Sequence, residues 1–272
     1  MKAILICPSP RPAVRSLAET MPLANVPAFG QGLVEYWLGH LAGAGFERVL
    51  VLASDRPEAL RSLVGSGARW GLTVEVRAED WELTPAEAVS KYATDLPPTA
   101  EQDGQVVMDH FPGLTGYPLF TSYHDWITAL CAWMPRAKGP ERVGPRELRD
   151  GVWADLHARI SPKAELHAPC WLGKNVVVGA HAVIGPRTIV EDRAFIEPGA
   201  VVVHSFVGPD TFVGRDTELR QSVAWGDLLI NWSTESVTRV PDSFIMCSLR
   251  PQPQWQQAVS PTLEQNPLEA QV

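Results

Sequence analysis

From Ile160 onward an aliphatic residue returns every sixth position: Ile160, Leu166, Leu172, Val178, Ile184, Val190, Ile196 and Val202, then, after one five-residue step, Val207, Val213 and Leu219. Four residues after each comes a small or β-branched residue: Ala164, Cys170, Val176, Ala182, Thr188, Ala194, Ala200, Thr211, Thr217 and Val223, with Phe206 the bulky exception. That second position lies two before the next aliphatic, and residues two apart in a strand point to the same side. Each unit therefore reads as a short strand with one small and one large side chain facing inward. In five units a glycine follows the aliphatic, at Gly173, Gly179, Gly185, Gly208 and Gly214, where a corner is expected to need a residue tolerant of unusual φ.

A six-residue period of this kind resembles the parallel β-helix of hexapeptide-repeat proteins, a prism of three flat faces in which eighteen residues complete a turn. The resemblance implies a left-handed coil. Residues 160–224 then make roughly three to four turns, stacked about 4.8 Å apart. The ends of such a prism need covering. The N-terminal half is expected over one end and residues 225–249 over the other, with strands at 228–230 and 243–246. The tail, 250–272, is rich in Pro and Gln and reads as disordered.

The N-terminal half alternates apolar strand candidates at 3–7, 48–53, 72–77 and 106–109 with helix candidates at 33–46, 57–64, 85–93 and 122–134. Pro57 and the Thr84–Pro85 pair are helix-start signals, and Trp126, Leu130 and Trp133 share one side of the last helix. Such alternation predicts a mostly parallel sheet with crossovers. The expected organisation is an α/β domain at 1–134, a linker at 135–151, a β-helix with its cap at 152–249, and the tail.

Composition bounds the partners. A formal net charge of −8 and no Lys/Arg cluster leave no basic footprint for nucleic acid. No apolar run reaches membrane-spanning length, and nothing at the start has the shape of a signal peptide, so a cytoplasmic protein is expected. Four cysteines, Cys7, Cys131, Cys170 and Cys247, form no CxxC pair and read as buried thiols. The tryptophans around the β-helix, Trp153, Trp171, Trp225 and Trp232, fit either a domain junction or a subunit contact.

The opening residues, Lys2-Ala3-Ile4-Leu5-Ile6, Met21-Pro22-Leu23, Val26-Pro27, Gly30 and Leu33-Val34-Glu35-Tyr36-Trp37-Leu38, resemble the start of nucleoside-diphosphate-sugar pyrophosphorylases and register with it gaplessly from Met1 to Leu38. That family often carries a hexapeptide β-helix behind its catalytic domain. The resemblance thus implies a truncated nucleotidyltransferase-like parallel sheet domain followed by a left-handed parallel β-helix. The family's GGxGTR loop, whose backbone N–H groups cradle phosphate, falls here on Pro8, Ser9, Arg11, Pro12 and Ala13. Its two lysines fall on Leu23 and Gln31. Three prolines in five residues remove donors and forbid the loop. Arg11 and Arg15 are the remaining candidates for phosphate binding, and Asp109, at a strand end, for Mg²⁺. Asp125, Glu141, Glu147 and Asp150 sit in no recognisable motif.

These departures imply a catalytically silent, regulatory or structural subunit of sugar-nucleotide metabolism. A nucleotide or sugar nucleotide is its expected ligand, and it is expected to assemble with itself or a partner subunit through the β-helix. No cofactor is required, and Mg²⁺ enters only if the chain is active. Two alternatives are an active divergent nucleotidyltransferase and a hexapeptide acyltransferase with the α/β domain as substrate module. The acyltransferase would need a histidine base on a coil: His157, His167, His181 and His204 are available, and His181 is the one to test first.

Overall fold

The computed structural model describes residues 2–92, 105–137 and 144–250. Glu141 and the tail beyond Arg250 lie outside the described residues, while Arg250 itself is ion-paired with Asp210 at 2.7 Å. The N-terminal domain is built from β1 (Lys2–Ile6), a short hairpin β2 (Pro27–Ala28) and β3 (Gln31–Gly32), α1 (Leu33–Gly43), β4 (Arg48–Ala53), α2 (Pro57–Val64), β5 (Thr73–Ala78), α3 (Pro85–Tyr92), β6 (Gln105–Val107) and α4 (Tyr123–Trp133). Four strands form a parallel sheet in the order β5-β4-β1-β6. From β1 the chain winds outward through β4 to β5, then returns to pair β6 on the other side of β1. In open parallel sheets a crevice opens where the winding reverses, beyond the carboxyl ends of the strands. Here that point lies between β1 and β6.

Local chemistry sets the helix starts. The Ser122 hydroxyl accepts the Asp125 N–H at 3.0 Å and donates back to its carboxylate at 2.8 Å, as Thr121 does, which closes the N-terminus of α4. These hydrogen bonds hold Asp125 below the usual carboxylate range, so Asp125 is a cap. Thr84 and Glu87 close α3 in the same way.

Residues 152–225 form the parallel β-helix. Every aliphatic of the six-residue period lies in a strand that pairs in parallel with the equivalent strand of a neighbouring turn, and those between the ends pair with the turn below and the turn above. One column runs Trp153, Trp171, Ile189, Phe206 and Val223. Ala182, Ile184, Ala194, Ile196, Ala200 and Val202 are all fully buried inside the prism, so the small-and-large inward pair is present.

Three expectations change. First, Phe206 and Val223 are not inward residues. The units after Val202 and after Leu219 are each one residue short, and the shortening is taken in the turn: the left-handed corner falls on His204 and on Gln221, two after the aliphatic, where Asn175, His181, Arg193 and Asp210 stand three after. Ser205 therefore takes the inward position, above Thr188, and Phe206 points outward in register with Ile189. Second, the residue after each aliphatic is rarely the one with unusual φ. The left-handed position is the third after it, occupied by Asn175, His181, Arg187, Arg193 and Asp210, types led by Asn, Asp and His that tolerate this region best. Gly179 is instead a matter of room, since a Cβ there would sit 2.4 Å from the Pro198 nitrogen. Third, the N-terminal domain does not cap the end of the prism. It covers a lateral face, and Trp153, Trp171, Ile189, Phe206 and Val223 join the core of the α/β domain.

The junction is specific. Phe29 meets the Trp171 ring edge-on at 5.1 Å, and Trp126 meets Phe206 at 4.6 Å. Phe29 and Gly30 form the two-residue turn of the β2–β3 hairpin with φ of +57° and +75°. That pattern of two consecutive positive φ values usually calls for Asn-Gly. A phenylalanine there is strained, and the interdomain contact is what holds it: Phe29 is fully buried. The Phe29 and Gly30 N–H groups donate to the buried carboxylate of Glu191 from the β-helix, at 2.5 and 2.8 Å.

The outer ends of the prism are covered by strands of its own half. Arg146–Arg149, within the stretch expected as linker, pairs antiparallel with Val152–Ala154. Leu228–Asn231 and Ser236–Arg239 make a hairpin that extends the covered face, and Met246–Ser248 pairs antiparallel with Thr211–Val213. The expected strand at 243–246 is displaced toward the C-terminus, and Phe244 is exposed.

Candidate functional site

Two places gather chemistry-bearing side chains. The first is the crevice beyond β1 and β6, where the family resemblance puts its phosphate loop. Cys7 still continues the sheet, with its N–H on the Leu52 carbonyl. The chain then turns through Pro8, which is buried, and Ser9, whose N–H donates to Glu82 Oε2 at 2.8 Å and whose hydroxyl is 2.8 Å from that of Ser54. Arg11 donates to Glu82 Oε1 at 2.7 Å. The loop's backbone donor and its cation are thus both engaged by a carboxylate of the same chain. Burial alone would raise the pKa of Glu82, but the Arg11 and Ser9 hydrogen bonds outweigh it and hold the group ionised below its usual range. Arg11 is held protonated by the Glu82 hydrogen bond in turn, with Asp109 adding its field.

The other resemblance-derived residues are not brought into this arrangement. Ala13 and Arg15 are exposed, Leu23 is fully buried in the core, and Gln31 lies in the β2–β3 hairpin. Asp109 Oδ1 is 2.6 Å from His110 Nδ1. Among the described residues no group of three His, Cys, Asp or Glu side chains is placed to hold a metal ion, and with Glu82 committed to Arg11 and Asp109 to His110 the crevice does not fit Mg²⁺. Glu147 accepts from the Gly151 N–H, and Asp150 is exposed. Sequence reading overlooked Glu82, because it follows β5 in a loop and belongs to no motif.

The second place is a face of the prism that the α/β domain leaves bare. Glu165, Val183, Val201 and Glu218 form its outward column. Glu165 and His167 flank the inward Leu166, so both point outward, and His167 Nε2 lies 3.8 Å from Glu165 Oε2. His157 and His181 are exposed at left-handed corners, and the His181 N–H donates to the Lys163 carbonyl. His204 is half-buried under Trp232, whose indole N–H donates to its carbonyl. Among the described residues, His167 is the β-helix histidine with a carboxylate within 4 Å. The cysteines offer no nucleophile: burial raises the pKa of each of the four, Cys170 to about 12. Cys131 and Cys247 are only half-buried, against expectation.

Beside the junction, Asp192 Oδ1 accepts the Lys174 N–H at 2.8 Å. Burial raises its pKa above 3.8, with Asp155 adding repulsion. A carboxyl raised in the folded state costs nothing below about pH 3.8, where both states are protonated, and weakens the fold as pH rises through its folded pKa. Asp192→Asn keeps the acceptor and removes the charge. Its melting temperature should exceed that of the parent at pH 7 and converge with it near pH 3.5, as thermal melts across that range would show.

The family model described as Bacterial transferase hexapeptide (six repeats) matches residues 169–204. Among solved structures, the acetyltransferase domain of PglB from Neisseria gonorrhoeae FA1090, in complex with acetyl coenzyme A, is similar at 14% identity and a TM-score of 0.22, over 66% of this chain and 86% of that one. A mutant of perosamine N-acetyltransferase from Caulobacter crescentus, in complex with CoA and GDP-perosamine, is similar at 13% identity and a TM-score of 0.22, over 71% and 96%. Scores of this size leave the chemistry to the chain's own residues. No helix among the described residues is long and apolar enough to cross a membrane. The C-terminal half is a hexapeptide-repeat β-helix.

Proposed function

We propose that this protein is an acyltransferase whose β-helix carries the reaction, on the face that its own α/β domain leaves bare. The observation behind this reading is the His167–Glu165 pair on the bare prism face, two residues before the segment that matches the hexapeptide transferase family. His167 Nε2 is turned to the Glu165 carboxylate, which leaves Nδ1 as the base. Nδ1 takes the proton from an amine or hydroxyl acceptor as that group attacks the carbonyl carbon of an acyl thioester. Glu165 steadies the imidazolium, and the proton then passes to the departing thiolate. The half-exposed column Val177, Phe195 and Phe212, with the two phenyl rings stacked at 6.0 Å, supports assembly with further copies through the β-helix. Sedimentation of the full chain gives the assembly mass.

The test is release of free thiol from acyl-coenzyme A in the presence of amino- and hydroxy-sugar nucleotides. His167→Ala should lower turnover by about 10²- to 10⁴-fold and leave the melting temperature unchanged, because the side chain is exposed. If His181→Ala has that effect and His167→Ala does not, the base is His181. Absence of thiol release with every acceptor sinks the reading.

The expectation of a silent nucleotidyltransferase relative remains a second reading, favoured by one observation: Glu82 occupies the donors that a phosphate would need. It holds that no pyrophosphate is released from a nucleoside triphosphate, a sugar 1-phosphate and Mg²⁺. Release abolished by Asp109→Ala would overturn it.

A further inference from the structure

A groove of about 470 Å³ opens on the α/β domain, along the outer side of α1. Its lining shares no residue with the strand-end crevice or the His167 face. Glu35, Tyr36, Gly39, His40 and Gly43 of α1 form one wall, and Arg69, Trp70, Trp133 and Arg136 stand across from them. The volume lies within the roughly 300–1,000 Å³ of small-molecule sites.

Four observations point to an occupant. Gly39 lies within α1, where glycine destabilises by about 1 kcal/mol relative to alanine, and Gly43 is the helix's last residue. Neither is required by packing: a Cβ on Gly39 would meet only Trp70 Cδ1, at 3.9 Å, and one on Gly43 would meet nothing within 4 Å. The cost leaves the groove open. The Arg69 guanidinium lies 4.2 Å over the Trp70 ring and is ion-paired with Glu35, so it is held as a flat platform. Arg136 is exposed, and its hydrogen bond to the Gly113 carbonyl is long, at 3.3 Å. Trp133 is 8% exposed, and its indole Nε1 is a buried donor with no acceptor among the described residues.

The wall is therefore rich in donors, since the Glu35 carboxylate is already committed to the Gly32 N–H and Arg69. We infer that the groove binds a small anion carrying a planar ring, with the ring stacked on the Arg69–Trp70 platform and the anionic group on Arg136. Two sources offer this chemistry, nucleoside 5′-monophosphates and aromatic carboxylates.

Titration calorimetry on the full chain, with UMP, AMP, 4-hydroxybenzoate and inorganic phosphate, tests it. At least one ring-bearing anion should bind at least tenfold more tightly than inorganic phosphate, and which one binds identifies the source. Arg136→Gln should weaken that binding about 10- to 100-fold, the value of a charge-assisted hydrogen bond. Gly39→Leu fills the groove and should weaken it at least tenfold without lowering the melting temperature. Should that variant fail to fold, Gly43→Leu gives the same reading at a position open to solvent. Inorganic phosphate binding as tightly as the ring-bearing anions, no binding of any probe at millimolar concentration, or unchanged binding in the folded glycine variant overturns the proposal. Loss of acyl transfer in His167→Ala is read separately and bears on neither outcome.

Discussion

Glu191→Ala is expected to cost about 2–6 kcal/mol, a large part of the roughly 5–15 kcal/mol that keeps a domain folded. The carboxylate is fully buried between the two halves and accepts the Phe29 and Gly30 N–H groups. Removing it leaves the buried Phe29 donor and the half-buried Gly30 donor unmet, and an unmet buried group costs about 1–3 kcal/mol. The hairpin turn is also strained at Phe29, with φ +57°, so once its anchor goes the turn has a reason to relax and withdraw from Trp171. Loss of stability should therefore come with a change in tryptophan fluorescence at temperatures where the β-helix is still folded. Glu191→Gln keeps one acceptor but turns an NH₂ group toward the other donor, so it should lose about half as much. Urea unfolding of the three proteins, followed by fluorescence and by circular dichroism, measures both. An alanine variant that unfolds at the parental midpoint, with both signals coincident, would mean that the halves are held together without this contact.

Much of this architecture is legible in the residues, and what is not has identifiable causes. The period of six survives translation into structure because inward side chains in a narrow prism have almost no freedom of size, so each unit repeats the same choice. The same argument fails for the outward residues. Trp153 and Trp171 fit a domain junction or a subunit contact equally well until the α/β domain is laid on them, and no periodicity says which of three faces a distant domain will cover. Phe206 was misplaced because a five-residue unit can lose its missing residue from the strand or from the turn, and only the backbone shows that it comes from the turn at His204. The parallel sheet follows from strand and helix alternation, and the starts of α3 and α4 carry their capping residues in sequence. The candidate sites are harder to see. The loss of the phosphate loop is plain in three prolines, but its replacement by a Glu82–Arg11 pair joins residues seventy-one apart. His167 resembles any other exposed histidine until the strand geometry puts Glu165 on its side.

Gly185→Ala should be more damaging than any other single-methyl addition in the β-helix, because two constraints meet at this residue. Its φ is +95°, a region that a side-chain-bearing residue enters only at a cost of roughly 1–3 kcal/mol. A Cβ built there would also lie 1.9 Å from the carbonyl oxygen of His167. That oxygen belongs to backbone in the strand below, where the His167 N–H donates to the Ile184 carbonyl at 2.7 Å, so it cannot yield without breaking the pairing between turns. Relief requires either a shift of the strand that carries Glu165 and His167 or a local opening of the coil. The combined loss should be about 3–5 kcal/mol, the range in which a substitution has a specific structural cause. Because the displaced strand holds the candidate base, acyl transfer by whatever fraction remains folded should fall as well, and by more than the stability loss accounts for. Gly45→Ala is the matched control: it too has a positive φ, +82°, but its Cβ meets nothing within 4 Å, so it carries the backbone cost without the collision. Melting temperature and turnover per folded molecule, measured on both variants at 25 °C, separate the two effects. Equal destabilisation of the two would show that the coil adjusts around residue 185 and that His167 is not held by the turn above it.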